Sequence, residues 1–357
     1  MEYEVVEEPT DKKKVEFVEE VEKIKDEKIE QKEEPKRPIV IMAEYIWVSD
    51  YESGTICSKT KTLVFATNEI SIKDIRQKTY NGLLTGEIDD DTKTSDIILQ
   101  PIYICNDPIR GNPNILVLCE TYYLDGQPTV NNKRNELAKV IETKEIYEKF
   151  EPWFSFKQEV SIIDDKQELD SDDKIYCKVG KSQGKFRSVM NQFYIWCLKV
   201  GMNISGFNSG TSLNKWEFNI GPGFGVRTLD NLVLSRYLMK RLTEITDIDI
   251  HFDKNAAGEP MTLKMYYSTK DMRKEDGDEV VEKTIEKLKR KHKDFIKIFG
   301  TKQDSKFTHG IGTNNTSVKY PVIAKNDKRN KYLVDNRIIS NADPYIIAKN
   351  IFDTICN

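Results

Sequence analysis

Trp153-Phe-Ser-Phe-Lys-Gln-Glu-Val-Ser-Ile-Ile163 reads as a β-strand with two unlike faces. Successive side chains on a strand alternate sides. Phe154, Phe156 and Val160 therefore share one face, while Ser155, Lys157 and Glu159 share the other. Two later stretches repeat the pattern. In Lys215-Trp-Glu-Phe-Asn-Ile220, Glu217 stands opposite Trp216, Phe218 and Ile220. In Met261-Thr-Leu-Lys-Met-Tyr-Tyr-Ser-Thr269, Lys264 shares a face with Tyr266 and Ser268. A solvated charged face is ordinary for an antiparallel sheet. The alternative is a cleft in which the charges converge and must pair. Alternation alone leaves both open.

Helices flank these strands. Val189, Phe193 and Cys197 lie at helical spacing, with Gly201 as the stop. Leu234, Leu238, Leu242 and Ile245 mark a second helix, with Thr228 as its expected N-cap. Val281, Ile285, Leu288, His292, Ile296 and Phe299 mark a third, ended by Gly300. A last helix opens on Asp343 as cap and Pro344 at its first position. Upstream, Ile39 to Val48, Thr60 to Thr67, Asp96 to Cys105 and Asn114 to Tyr123 read as strands, and Asn132 to Phe150 as helix. The expected class is α+β: a small β domain over 39–130, then a larger sheet-and-helix domain over 131–357. Residues 1–38, dominated by Glu and Lys, are expected to form a charged, disordered tail.

The 357 residues carry 55 Lys and Arg against 59 Asp and Glu, a net charge of -4, so no broad basic field points to nucleic acid. No stretch approaches the ~20 apolar residues of a membrane span. Six cysteines without a CxxC pair read as buried, reduced thiols, and three histidines make a His/Cys zinc site an unsuitable reading. A cytoplasmic protein is expected.

Several segments, in order, resemble glutamine synthetase of the eukaryotic type. Ala43-Glu-Tyr-Ile-Trp47 is similar to the family's first strand and Ser58-Lys-Thr-Lys-Thr-Leu63 to its second. Asn114-Ile-Leu-Val-Leu-Cys-Glu-Thr-Tyr122 with Asn132-Lys-Arg134 resembles the domain junction. Asn203-Ile-Ser-Gly206, Trp216-Glu-Phe218 with Gly221-Pro222, Tyr267-Ser-Thr-Lys270 with Met272-Arg273, and Ser340-Asn-Ala-Asp-Pro-Tyr345 continue the series. The resemblance implies the glutamine synthetase fold: a small β-grasp-like domain and a larger α+β domain with a curved antiparallel sheet. It implies ATP, glutamate and magnesium or manganese as ligands, and a homo-oligomeric ring or co-assembly with an active glutamine synthetase.

The same resemblance implies a degenerate site. The family's Glu-Gln-Glu strand here reads Lys157-Gln158-Glu159. A ligand glutamate is matched by Gly210, the metal histidine by Lys264 and a last metal glutamate by Val334, while Glu159 and Glu217 remain. Asn81 replaces the aspartate that acts on ammonium, and of an arginine pair only Arg337 is left beside Asn336. Two further family arginines are matched by Asn314 and Lys319. Trp153, Ser268, Arg273 and Tyr332 match residues that line the family's nucleotide site. Two charges ~4 Å apart interact by roughly 4 kcal/mol at an effective dielectric of ~20, and a dication doubles this. Lys157 and Lys264 are therefore expected to stand in for the metals and neutralise Glu159 and Glu217. Two functional readings follow: a catalytically inactive homologue with a structural, regulatory or metabolite-binding role, or an ATP-dependent glutamate–ammonia ligase working through a rearranged site.

Overall fold

A computed structural model describes residues 37–50, 55–88, 95–164, 175–212, 214–255, 258–299 and 306–356. Almost all of the charged N-terminal segment lies outside these, as does Gly300.

The first sheet is built from β1 (Ile39–Asp50), β2 (Thr55–Phe65), β3 (Lys78–Asn81), β4 (Asp96–Asn106) and β5 (Ile115–Tyr122), in the order β2-β1-β5-β4-β3. Its pairs are antiparallel except β1 with β5, which run parallel. On β1, Ile41, Ala43, Tyr45 and Trp47 face one core while Ile46 and Val48 join a second, larger one. β5 is likewise buried on both sides, which explains its unbroken apolar run rather than an alternation.

The predicted helix over 132–150 is two helices, α1 (Lys133–Ile141) and α2 (Lys144–Phe150). Thr143 separates them: its hydroxyl accepts a hydrogen bond from the Ile146 N–H at 3.3 Å and so caps α2. Arg134 on α1 ties Glu120 at the end of β5 to Asp230 on the helix over 227–243, each at 2.7 Å.

The second sheet comprises β6 (Trp153–Ile163), β7 (Ile204–Ser209), β8 (Lys215–Phe224), β9 (Asp249–His251), β10 (Thr262–Ser268), β11 (His309–Ile311), β12 (Val318–Tyr320) and β13 (Leu333–Ile339). The order is β11-β12-β13-β10-β6-β8-β7, with β9 paired to β6. Five longer helices pack around its apolar face: α3 (Gly184–Lys199), α4 (Arg227–Thr243), α5 (Asp278–Arg290), α6 (His292–Phe299) and, after the short α7 (Val322–Asn326), α8 (Pro344–Cys356). Phe154, Phe156, Trp216, Phe218, Leu263 and Met265 all lie in that core, as alternation requires.

Three local expectations need correction. α4 begins at Arg227, so Thr228 lies inside the first turn and is buried rather than capping. The third predicted helix breaks at Lys291 into α5 and α6, which buries Phe295 where unbroken periodicity would bury Ile296. His292 marks the break, packed against Phe307 and Arg337. Of the thiols, Cys119 and Cys197 are buried, but Cys177 is exposed at a positive φ of 60°. Asp343 caps α8 as read from sequence, accepting hydrogen bonds from the N–H groups of Tyr345 at 2.7 Å and Ile346 at 3.4 Å.

Candidate functional site

β6 is anchored from behind. Gln158, on the core side of the strand, accepts a hydrogen bond from Arg236 at 3.0 Å. Arg236 is buried and also donates to the carbonyls of Ser340 and Ala342 at 2.8 and 3.0 Å. Ser340 in turn donates to the Glu159 carbonyl at 2.7 Å. This network fixes the backbone that presents Lys157 and Glu159 on the opposite face. Each polar group has a partner, so the buried guanidinium is tolerated.

On that opposite face, Glu159 of β6 and Glu217 of β8 are directly paired residues, each only 5 % exposed. Like charges facing each other across neighbouring strands repel. Each therefore needs a cation. Lys157 supplies one, its Nζ lying 2.7 Å from Glu217 Oε2. The Tyr176 hydroxyl donates to the same oxygen at 2.8 Å and the Asn208 amide at 3.3 Å. Burial alone would raise the Glu217 carboxyl; the hydrogen bond and charge of Lys157, with Tyr176, outweigh it and hold the group below its ordinary range.

Glu159 finds a partner the sequence reading missed. Lys215 reaches its Oε1 at 3.0 Å, and the Thr262 N–H donates to Oε2 at 2.8 Å. The expectation that Lys264 neutralises this pair is corrected: its side chain makes no hydrogen bond or ion pair among the described residues, and acts on Glu217 only as a more distant charge. Lys215 could have been suspected, since it stands two residues before Glu217 and so shares its face.

Gly210 explains how Lys215 gets there. A Cβ at Gly210 would lie 2.7 Å from Lys215 Cγ and 3.1 Å from its Cβ and Cδ. The missing side chain is thus the space through which the lysine stem runs. Gly210→Ala is expected to push that stem aside, weaken the Glu159 pair and destabilise the fold by about 1–3 kcal/mol, measured by denaturant unfolding. The same cost in a Lys215→Ala background, where Cγ and Cδ are gone, would show that the clash is elsewhere.

These residues do not fit a divalent cation. Both carboxylates are already engaged, Glu217 through Oε2 by Lys157, Tyr176 and Asn208 and Glu159 by Lys215 and the Thr262 N–H, and the positions that the resemblance matches to further ligands hold Lys157, Gly210, Lys264 and Val334. Among the described residues no group of three or more His, Cys, Asp or Glu side chains converges in a metal-binding arrangement.

Beside the lysines opens a cleft of about 710 Å³. Trp153, Ser268, Arg273 and Tyr332 all line it, together with Tyr266 and Ser155 from the polar face. Tyr266 and Tyr332 lie with ring centroids 5.9 Å apart, and the Arg273 guanidinium sits 5.2 Å from the Trp153 ring centroid. Arg273 donates to the Glu151 carbonyl at 2.8 Å, but its second terminal nitrogen is buried without a hydrogen-bond partner among the described residues. Ser268 spends its hydroxyl on the Lys331 carbonyl at 2.6 Å, shaping the wall. The volume suits a cofactor-sized ligand.

Arg337 and Asn81 are not brought to this place. Arg337 is buried among Phe295, Phe299 and Phe307, gripped by Asp335 and in contact with His292 Nδ1 at 3.2 Å. Asn81 is exposed at the end of β3, where its side chain accepts from the Leu83 N–H at 2.9 Å.

No family model matches the chain. Curated relatives do. A glutamine synthetase nodule isozyme of Lupinus luteus is 33 % identical over 345 residues, covering 88 % of this chain and 94 % of its own length. A glutamine synthetase of Colletotrichum gloeosporioides is 33 % identical over 343 residues, covering 88 % and 91 %. Two solved structures of GmaS, one an ADP complex and one without ligand, superpose with TM-scores of 0.69 and 0.68 over 88 % of this chain and 77 % of theirs. At 13 % identity those two speak to the fold alone.

Proposed function

The chain belongs to the glutamine synthetase family, and from that premise we propose that it is a catalytically inactive member whose cation sites have been filled by its own lysines. One observation carries this reading: Lys157 Nζ occupies the position 2.7 Å from Glu217 Oε2. A divalent ion in the family's reaction bridges phosphate oxygens and absorbs the charge that develops as phosphate moves. An ammonium group brings one charge instead of two and cannot be shared as a ligand between carboxylate and phosphate. Asn81 supports the same conclusion, because an amide cannot take a proton from ammonium. Losses at two separate roles are not repaired by one rearrangement.

What persists is the scaffold and the cleft lined by Trp153, Tyr266, Tyr332 and Arg273. The aromatic rings suit the base of a nucleotide. A structural or regulatory subunit follows, one that binds nucleotide without turning it over, assembled as a ring of its own copies or together with an active glutamine synthetase.

The γ-glutamyl transfer assay with manganese tests the reading. The expected rate is that of an unrelated protein carried through the same purification, with an active glutamine synthetase as the positive control. Calorimetry is expected to show no manganese binding. Turnover clearly above the unrelated protein, abolished by Glu159→Gln, would falsify the proposal and establish an active ligase.

A further inference from the structure

The polar sheet face beside the cleft carries a net positive charge. Lys215 and Glu159 cancel as a pair, leaving Lys157, Lys264 and Lys319 against the single carboxylate of Glu217, which pairs with Lys157. Sheet register places them together. Lys264 is paired with Lys157 across β10 and β6, and Lys319 is paired with Val334, which is itself paired with Tyr266. Lys319 is partly buried, and its ammonium donates to Asn314 Oδ1 at 2.6 Å, a neutral acceptor. Burial and the charges of Lys264 and Lys157 all disfavour its protonated form. Val334, which stands between Lys319 and Tyr266 in the register, offers no neutralising group.

Among the described residues, two positive charges thus stay uncompensated in a partly buried place, which is costly unless an anion supplies the balance. The same face is continuous with the aromatic cleft, because Tyr266 belongs to both. A bare anion would satisfy the lysines; an aromatic group would fill the cleft; a nucleotide has both.

We infer that the site binds the phosphate chain of a nucleotide without any metal, with Lys264 and Lys319 as its phosphate-contacting groups and Lys157 held in reserve by Glu217. This rests on the reading of the cleft as a nucleotide pocket, and it specifies the ionic form that is bound. In a cation-dependent site a divalent ion is part of the ligand. Here the ammonium groups supply that charge in advance, and a nucleotide already neutralised by magnesium has less to gain from them. Magnesium is therefore a competitor for the phosphates.

Titration calorimetry of the full-length protein with ATP, in EDTA and in excess magnesium, tests this. Binding is expected in EDTA and is expected to weaken about tenfold when magnesium is added, since each charge-assisted contact is worth that much. Lys264→Met and Lys319→Met are each expected to weaken ATP binding in EDTA by about tenfold. Far-ultraviolet circular dichroism should show both variants folded. Adenosine is expected to bind far more weakly than ATP, and inorganic triphosphate more weakly than ATP because it leaves the cleft empty. ATP binding that strengthens with magnesium, or that is indifferent to both lysine variants, overturns the inference, as does adenosine binding as tightly as ATP. The transfer assay is read separately: an inert protein that ignores ATP in EDTA defeats this inference and leaves the inactivity proposal standing.

Discussion

Replacing Lys157 with methionine is expected to destabilise the protein by about 3–5 kcal/mol at neutral pH, the usual cost of stranding one member of a buried ion pair. Methionine preserves most of the aliphatic stem, so the change removes charge rather than volume. Glu217 would keep the hydroxyl of Tyr176 and the amide of Asn208, but neither carries charge. The pH dependence has a definite sign. Lys157 and Tyr176 depress the Glu217 carboxyl in the folded protein against the opposing effect of burial. A depressed carboxyl stabilises the fold above its unfolded pKa, about 4.3 for glutamate, and that contribution is lost as pH falls through the folded value. In Lys157→Met the loss should be full at pH 7 and should shrink in acid, where the carboxyl becomes neutral. Adding Glu217→Gln to Lys157→Met should recover most of the stability. Urea unfolding at pH 7 and pH 4 measures both. A loss that does not change with pH would mean that packing, not charge, is what Lys157 contributes.

The second large effect lies at the start of α8. Asp343 is buried, and burial raises its carboxyl to about 7 despite the hydrogen bonds from Tyr345 and Ile346 and the charges of Arg236 and Lys133. Its Oδ2 has no hydrogen-bond partner among the described residues. A raised carboxyl favours the fold fully below its unfolded value and loses that contribution as pH rises through the folded one. The window runs from pH ~4 to pH ~7, and at about 1.4 kcal/mol per unit the group's contribution falls by roughly 4 kcal/mol across it. Asp343→Asn keeps a side-chain oxygen to cap the helix and removes the titration. Relative to the unaltered protein, the asparagine variant is therefore expected to gain stability between pH ~4 and pH ~7 and to hold that gain above it. Melting curves across that range decide it. Parallel curves would show that the carboxyl titrates where an unburied one does.

Much of this site is legible in the order of residues alone. Alternation along 153–163, 215–220 and 261–269 assigns Lys157, Glu159, Glu217 and Lys264 to one face, because a strand's period of two is a property of the local backbone. The helix cap at Asp343 and the stop at Gly201 are local for the same reason: each satisfies backbone groups within a few residues. The split of the third helix is not legible there, since His292 and Phe295 take their places from Phe307 and Arg337, which come later in the chain.

Pairing across the cleft belongs to the tertiary structure alone. That Glu159 goes to Lys215, while Lys264 is left without an ion pair among the described residues, depends on strand register and on a side chain missing at Gly210. Arg337 shows the same limit. It sits one residue from Asn336, yet the alternation of β13 carries it to the core, where Asp335 holds it. The chain by itself determined which residues share a face and, through the resemblance, that a family glutamate is matched by Lys157 and a family histidine by Lys264. Only the folded sheet decided which carboxylate each lysine meets, because contact energies of this kind fall within a few ångströms and those distances are set by residues far apart in sequence.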